Sequence, residues 1–280
     1  MNDLAKAKNR SNLPKALTFG AVLLASVVGL SQPGKAMDTI AREAILLDAQ
    51  TGAVLFNKDA DNSMPPASMS KLMTIYLIFE RLKQGSLSLD DEFVVSENAW
   101  RKGNWASGGS TMFLEPGQRV RIEDLIQGII VQSGNDACVV VAEALAGSED
   151  AFAELMTEKG KEIGLTNSTF RNASGWPHPE HRMTAHDLAI LARRTINDFP
   201  EYYHYYSERQ FSYNNHTQHN RNELLGRVPG ADGLKTGEMD RRCTAVEGHP
   251  AAHRRPLVRR RRRNGPAQGS FFFRICACLT

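Results

Sequence analysis

Ser68 and Lys71 stand three residues apart in Pro65-Pro66-Ala67-Ser68-Met69-Ser70-Lys71, at the head of a strongly apolar stretch. On a helix, an i, i+3 pair shares one face. A serine hydroxyl is a weak nucleophile until a base takes its proton. A lysine in a largely apolar setting holds its own proton less tightly and can be that base. A helix start adds free backbone N–H groups and partial positive charge where negative charge would develop. These residue types therefore allow acyl transfer through a serine ester. Alone the pair says little, because Ser-x-x-Lys also occurs on exposed helices. Two features sharpen it. Of eleven lysines, only Lys71 has Ser or Thr three positions earlier, and Leu72 to Leu82 are apolar nearly all round. That pattern predicts a buried helix rather than an amphipathic one.

Two later segments could complete a site. Ser133-Gly134-Asn135 interrupts two apolar stretches, 122–132 and 137–146, that both read as helices. The glycine permits a tight reversal, and its neighbours would point into a cavity. Ser133 could relay a proton, and Asn135 offers both a donor and an acceptor to an amide substrate. The plainer reading is a helix-capping turn. Lys235-Thr236-Gly237 closes a segment from Gly230 that reads as entering a strand. A glycine there lets an extended peptide approach the backbone closely. Lys235 would supply positive charge, and Thr236 a hydroxyl, to a carboxylate. The plainer reading is a surface turn.

These segments need a scaffold. Two apolar runs within 44–56 flank Asp48-Ala49-Gln50-Thr51-Gly52 and predict a β-hairpin. Residues 83–121 are mixed and turn-rich, and a helix is expected over 150–163. Thr184-Ala185-His186-Asp187 forms a capping box that opens another helix. Residues 200–222 read as polar loop or edge strand, and Tyr202–Tyr206 could rim a groove or simply pack. Cys138 reads as a buried core thiol, and His178, His181 and His186 as structural or exposed.

The chain has 280 residues, 41% hydrophobic and 23% charged, which excludes low-complexity, collagenous and polytopic membrane classes. Four cysteines are too few for a disulfide-built miniprotein. Residues 1–36 read as an export signal. Lys6, Lys8, Arg10 and Lys15 precede a fifteen-residue apolar run, Ala16 to Leu30, and small residues follow. The body is then expected outside the cytoplasm, in the periplasm. The net charge of +3 hides a break after Gly237. Residues 238–280 hold ten arginines, three acids and no lysine, so that segment carries +7 and the rest −4. Arg259–Arg263 could attract nucleic acid or anionic lipid by charge alone, but no aromatic platform or recognition helix accompanies them; a solvated tail is the plainer reading, and no nucleic-acid partner is expected. Cys243, His249, His253, Cys276 and Cys278 fit no closed zinc spacing.

Ser-x-x-Lys on a buried helix, Ser-x-Asn at a helix break and Lys-Thr-Gly near a late strand, in that order, form the motif set of active-site-serine penicillin-recognising enzymes. The sequence resembles the D-alanyl-D-alanine carboxypeptidases, the low-molecular-mass penicillin-binding proteins. The resemblance runs from about residue 38 to 237 and rests on LLDAQTGAVLF, PPASMSKLMT, IQGIIVQSGNDACVVVAE, NASGWPHPEHRMTAHDLA and DGLKTG. It implies an α/β (α+β) fold of the β-lactamase/transpeptidase type: an antiparallel sheet packed with helices, plus a helical subdomain. The catalytic domain would be 37–237, with 238–280 a non-homologous and disordered tail. By the same resemblance Ser68 attacks the carbonyl between the two D-alanines of a peptidoglycan stem peptide, with Lys71 as base. Ser133 assists proton transfer, Asn135 lines the pocket, and Lys235, Thr236 and Gly237 hold the substrate's carboxylate end. The backbone N–H groups of Ser68 and Glu238 would form the oxyanion hole. No metal or cofactor is implied, and β-lactams would acylate Ser68. The nearest competing enzyme, a class A β-lactamase, needs a separate Glu for deacylation. No convincing matching loop lies between Asn135 and Lys235.

The resemblance stops at Gly237. Family members usually continue with a His-Thr pair and two strands that lie between the Lys-Thr-Gly strand and the N-terminal hairpin. Many add a small β-rich domain and a membrane-binding C-terminal helix. Here 238–280 is arginine-rich, shows neither strand alternation nor helical period, and looks like translation in a shifted frame. The expectation is a sheet incomplete at its C-terminal end with two unpaired inner edges and no anchor helix. Such a chain would fold poorly and be weakly active or inactive.

Overall fold

The computed structural model describes residues 39–103, 105–237 and, as backbone, 272–275. The chain divides after Asp38 into two units, and all that follows concerns the second. The export-signal reading of residues 1–36, the backbone N–H of Glu238 and most of the arginine-rich segment lie outside the described residues.

Strands β1 (Ala44–Asp48) and β2 (Val54–Lys58) form the expected antiparallel hairpin, with a bulge between Leu46 and Leu47. Its turn is fixed by one carboxylate. Asp48 accepts from the backbone N–H groups of Gln50 and Thr51 and from the Thr51 hydroxyl, and these bonds hold its pKa below the usual carboxylate value. A 3-10 turn, Ala67–Ser70, then runs into helix α1 (Lys71–Lys83). Its apolar circumference has the predicted consequence: Leu72 to Phe79 are buried without interruption.

Next come β3 (Glu92–Val94), α2 (Glu97–Gly103) and β4 (Arg119–Arg121), with β3 and β4 paired antiparallel. Helix α3 (Ile122–Gln127) continues as a π-helical turn through Gln132. The chain then breaks at Ser133-Gly134 and restarts as α4 (Asn135–Ala146). Helices α5 (Glu149–Glu162) and α6 (Ala185–Asp198) follow. The Thr184 hydroxyl caps α6 by accepting from the Asp187 N–H (3.0 Å). The Asp187 carboxylate instead accepts from the Asn167 N–H (2.8 Å) and the Ser168 hydroxyl (2.7 Å), tying the helix start to an earlier loop. A short hairpin, β5 (Gln210–Tyr213) and β6 (His216–His219), occupies the stretch read as loop or edge strand.

The tyrosine-rich segment mostly packs. Phe79, fully buried on α1, meets the rings of Phe199, Tyr202, Tyr205 and Tyr206 at centroid distances of 5.9, 5.2, 6.4 and 6.4 Å. Such aromatic contacts add to simple area burial.

Two sequence expectations are corrected. Phe272–Ile275 forms a strand, β7, antiparallel to β1 with Ile45 opposite Ile275 and Asp48 opposite Phe272, so the sheet order is β2-β1-β7. The inner edge of the hairpin is therefore paired. An open edge is a template for any segment of strand propensity, and Phe-Phe-Arg-Ile has that character. Conversely, residues 231–237 form no strand. They are held from the side: the Asn222 side chain donates to the Gly233 carbonyl (2.8 Å), and the Tyr203 hydroxyl donates to Asp232 (3.2 Å).

Phe79→Ala would empty the aromatic cluster at its centre. The expected loss is about 3–5 kcal/mol, read as a lower urea midpoint; a shift under ~1 kcal/mol would contradict this picture of the core.

Candidate active site

The position of Ser68 is set by its neighbours on the 3-10 turn. Ala67, just before Ser68, has φ +48°. That left-handed conformation costs a residue with a Cβ roughly 1–2 kcal/mol and holds only where surroundings enforce it. Two glycines supply the surroundings. A Cβ on Gly175, itself at φ +80°, would collide with the Ala67 carbonyl and approach Ser70 Oγ to 2.6 Å. A Cβ on Gly237 would lie 2.9 Å from Met69 Cγ and 3.3 Å from the Pro66 carbonyl oxygen. The third motif thus reaches the Ser68 turn even though its segment is not a strand.

Ser68 is half-buried, while Lys71 is completely buried. The Lys71 amine donates to Ser68 Oγ (2.9 Å) and to the Ser174 carbonyl (2.6 Å). Thr74, one turn further along α1, donates to the neighbouring Ala173 carbonyl (2.7 Å). The loop they grip is organised by the buried Asn172. Its Oδ1 accepts from the N–H groups of Ser174 (3.2 Å), Gly175 (2.8 Å) and Trp176 (2.9 Å), and its Nδ2 donates to the Trp176 carbonyl (2.9 Å).

Burial lowers the Lys71 pKa to about 8, and the nearby Arg221 guanidinium pushes the same way. Taking an ammonium out of water disfavours its charged form. Lys235 is lowered well below the ordinary lysine value for the same reason, and the charges of Lys71 and Arg221 push it further. Its amine donates to the Thr236 carbonyl (3.1 Å). The Arg221 charge is felt at both Lys71 and Lys235, which places positive potential beside the third motif, suited to a carboxylate.

The second motif sits at the start of α4. Ser133 ends the π-helical turn in the left-handed conformation (φ 62°, ψ 33°), and its hydroxyl is buried without a protein partner. Asn135 donates its backbone N–H to the Ser110 carbonyl (2.7 Å). Asp136 fixes the loop before it, accepting from the Thr111 hydroxyl (2.6 Å) and the N–H groups of Met112 (3.0 Å) and Leu114 (3.2 Å). Cys138 is fully buried, and burial pushes its thiol up to about 12, so it is a neutral core group as expected.

The structure thus joins Ser68 to Lys71 by a hydrogen bond, seats Gly237 on the Ser68 turn, and sets the Lys235 charge against Lys71. Three contributors were not assigned from sequence: Asn172, the Ser174 carbonyl and Arg221. Asn172-Ala-Ser-Gly175 does carry a turn signal, since Asn side chains bond backbone N–H groups just ahead of them. Arg221 gave no signal, because long-range folding alone brings it near Lys71. Among the described residues, no three His, Cys, Asp or Glu side chains converge as a metal site.

A buried amine of lowered proton affinity bonded to a half-buried serine is the pairing that acyl transfer through a serine ester would require. Comparison with known proteins gives the family. The model of the D-alanyl-D-alanine carboxypeptidase peptidase family matches residues 29–245. D-alanyl-D-alanine carboxypeptidase DacC of Escherichia coli is 40% identical over 233 residues, covering 81% of this chain and 58% of the relative. DacF of Bacillus subtilis is 37% identical, covering 80% and 59%. Among solved structures, penicillin binding protein 5 from Haemophilus influenzae superposes with a TM-score of 0.70 at 38% identity, covering 74% of this chain and 60% of that one. Penicillin binding protein 6B from Escherichia coli gives 0.69 at 38%, covering 74% and 65%. The chain belongs to the D-alanyl-D-alanine carboxypeptidase family and has its fold, as the motifs implied. It spans a little under three-fifths of the length of these curated relatives.

Gly175→Ala would force the Ser68 turn and its supporting loop apart, because the added methyl meets backbone rather than a flexible side chain. The expected result is at least a hundredfold slower acylation by a β-lactam, on the scale seen when reacting groups are misplaced by about 1 Å. An unchanged acylation rate would show that the contact is not needed.

Proposed function

We propose that this chain is a serine-type D-Ala-D-Ala carboxypeptidase acting on peptidoglycan stem peptides, with 37–237 as its catalytic segment. The observation that carries this reading is the 2.9 Å bond between Ser68 and a Lys71 buried deeply enough to be a base near neutral pH. Lys71, neutral, takes the Ser68 proton as Oγ attacks the carbonyl between the two D-alanines. The resulting oxyanion is stabilised by backbone N–H donors at Ser68 and Glu238. Collapse breaks the C–N bond; the leaving amine takes a proton relayed through Ser133, and D-alanine departs. Water, deprotonated by Lys71, then hydrolyses the ester on Ser68. Lys235, Thr236 and Gly237 hold the terminal carboxylate, and Asn135 takes the amide on the acyl side. A β-lactam would enter the same path and stop at the ester. Penicillin-binding protein D2 from Listeria monocytogenes, 28% identical over 75% of this chain, is known in an ampicillin-bound form. The export reading of 1–36 would place this chemistry in the periplasm, and no helix among the described residues is long and apolar enough to cross a membrane.

The expectation of weak activity rested on two open sheet edges and an uncovered apolar face; the pairing of β1 with β7 and the seat of Gly237 on the Ser68 turn support an active chain instead. Purified protein should take up one equivalent of a fluorescent penicillin, and Ser68→Ala should take up none. No labelling of a soluble, folded preparation would favour a degenerate homologue that keeps the motifs without the activity.

The pH dependence has a definite sign. Only neutral Lys71 is a base, so acylation within the bound complex should rise tenfold per pH unit below about 8 and level off above it. Lys235 holds a carboxylate only when protonated, and its lowered pKa means that affinity weakens at lower pH than for an ordinary lysine. Stopped-flow acylation across pH 6–10 separates the two effects; a rate that keeps rising to pH 10 would count against Lys71 as base.

A further inference from the structure

His181 is a buried histidine that the chemistry above does not use; 2% of its surface is exposed. It closes the base of the loop that grips Lys71. Thr169 and Arg182 exchange backbone hydrogen bonds across that base (2.8 and 3.0 Å), and Met183 pairs likewise with Met64, just ahead of the Ser68 turn (2.8 and 2.9 Å). One step further in, the Arg171 N–H donates to His181 Nδ1 (3.4 Å). Arg171 precedes Asn172, whose side chain gathers the N–H groups of Ser174, Gly175 and Trp176, and Ser174 holds the Lys71 amine. A ring nitrogen that accepts carries no proton, so the imidazole is neutral with its hydrogen on Nε2. That Nε2 is buried without a partner among the described residues, and the ring meets the Phe170 ring edge-on at a centroid distance of 5.5 Å.

The groups around His181 oppose a second proton. Arg171, His178 and Lys71 bring only positive charge toward it. The carboxylates of the surrounding elements are engaged elsewhere. Glu180 accepts from the Arg171 guanidinium (3.1 Å), and Asp187 from the Asn167 N–H and the Ser168 hydroxyl. Glu149 accepts from the Ala173 N–H (3.2 Å) and pairs with Lys102 (2.9 Å). A protonated His181 would turn a donor toward the Arg171 N–H and find no acceptor at Nε2. Burial above all, with the charges of His178, Arg171 and Lys71, lowers its pKa to about 4.

Resting on the carboxypeptidase reading for the task of Lys71, we propose that His181 is a positioning residue: as a neutral imidazole it latches the 169–182 loop so that Ser174 holds the Lys71 amine against Ser68, and on protonation it releases that loop. With the loop open and His181 in water, the imidazole binds a proton near 6.5; with the loop closed, only near 4. The closed form is therefore fully favoured above pH 6.5. Opening rises tenfold per pH unit as pH falls from about 6.5 to 4, to a limit of about 300-fold. Lys71, at about 8, is already charged across that window and adds nothing to the slope.

Hydrogen exchange of the Ser174, Gly175 and Trp176 amides reads the opening directly, because all three are protected by Asn172. It is followed by NMR on the full chain from pH 4.5 to 7.5 and corrected for intrinsic exchange. Protection should fall about thirtyfold from pH 7.5 to pH 5, while the amides of α1 keep theirs. His181→Leu, which has no acceptor for the Arg171 N–H, should lose protection at every pH and be acylated more slowly by a penicillin. His181→Asn offers an acceptor that takes no proton; it should restore both losses and show flat protection across the range. His178→Asn should keep most of the acid response. Protection in the unsubstituted chain that does not change with pH would overturn the proposal, and that measurement decides even if the substitutions do not fold. An acid response that survives in His181→Asn would overturn it equally. If exchange behaves as expected yet the unsubstituted protein forms no penicillin adduct at pH 8, the latch stands and the carboxypeptidase reading fails.

Discussion

The site depends on one burial: the amine of Lys71, removed from water and hydrogen-bonded to Ser68 Oγ and the Ser174 carbonyl. In water an amine keeps its proton to high pH and could not serve as a base at neutrality. Inside α1 the loss of solvation weakens the charged form. The carbonyl also orients the amine. In the structure the amine donates to both oxygens; once deprotonated it has two N–H donors and one lone pair, and a donor kept on Ser174 lets the lone pair turn to Ser68. The same geometry that lowers the proton affinity therefore aims the amine at Ser68.

Much of the surrounding structure maintains that burial. Helix α1 is buried without interruption from Lys71 to Phe79, which keeps water from Lys71 and also forms the core. Thr74 and Lys71 both reach the 173–174 carbonyls, and Asn172 holds that loop through three backbone N–H groups. Gly175 is bare because its α-carbon meets the backbone of the Ser68 turn. Substituting any of these for stability alone would change the base as well, which links packing to chemistry in this region.

Helices and hairpin were legible because their signals are local. The β1–β2 turn announces itself through Asp48 and Gly52, the start of α6 through Thr184, and the burial of α1 through unbroken apolar sequence. The three motifs were legible because each is a short run of residues with fixed spacing. Long-range pairing was not. Phe272–Ile275 carries strand propensity but nothing in it names β1 as partner, and Lys235–Gly237 looks strand-like although lateral contacts, not a ladder, hold it. Asn172 and the Ser174 carbonyl were missed for a related reason: a backbone carbonyl has no residue-type signature, so its role emerges only once α1 and the 172–176 loop meet.

The most direct measurement is the proton affinity of Lys71 itself, followed by NMR of the lysine ε-carbons in isotopically labelled protein, with Lys71→Arg to assign the signal. The expected midpoint is about 8. A midpoint near 10.5, the ordinary lysine value, would mean that Lys71 is solvated and charged, and could not be the base on which this site depends.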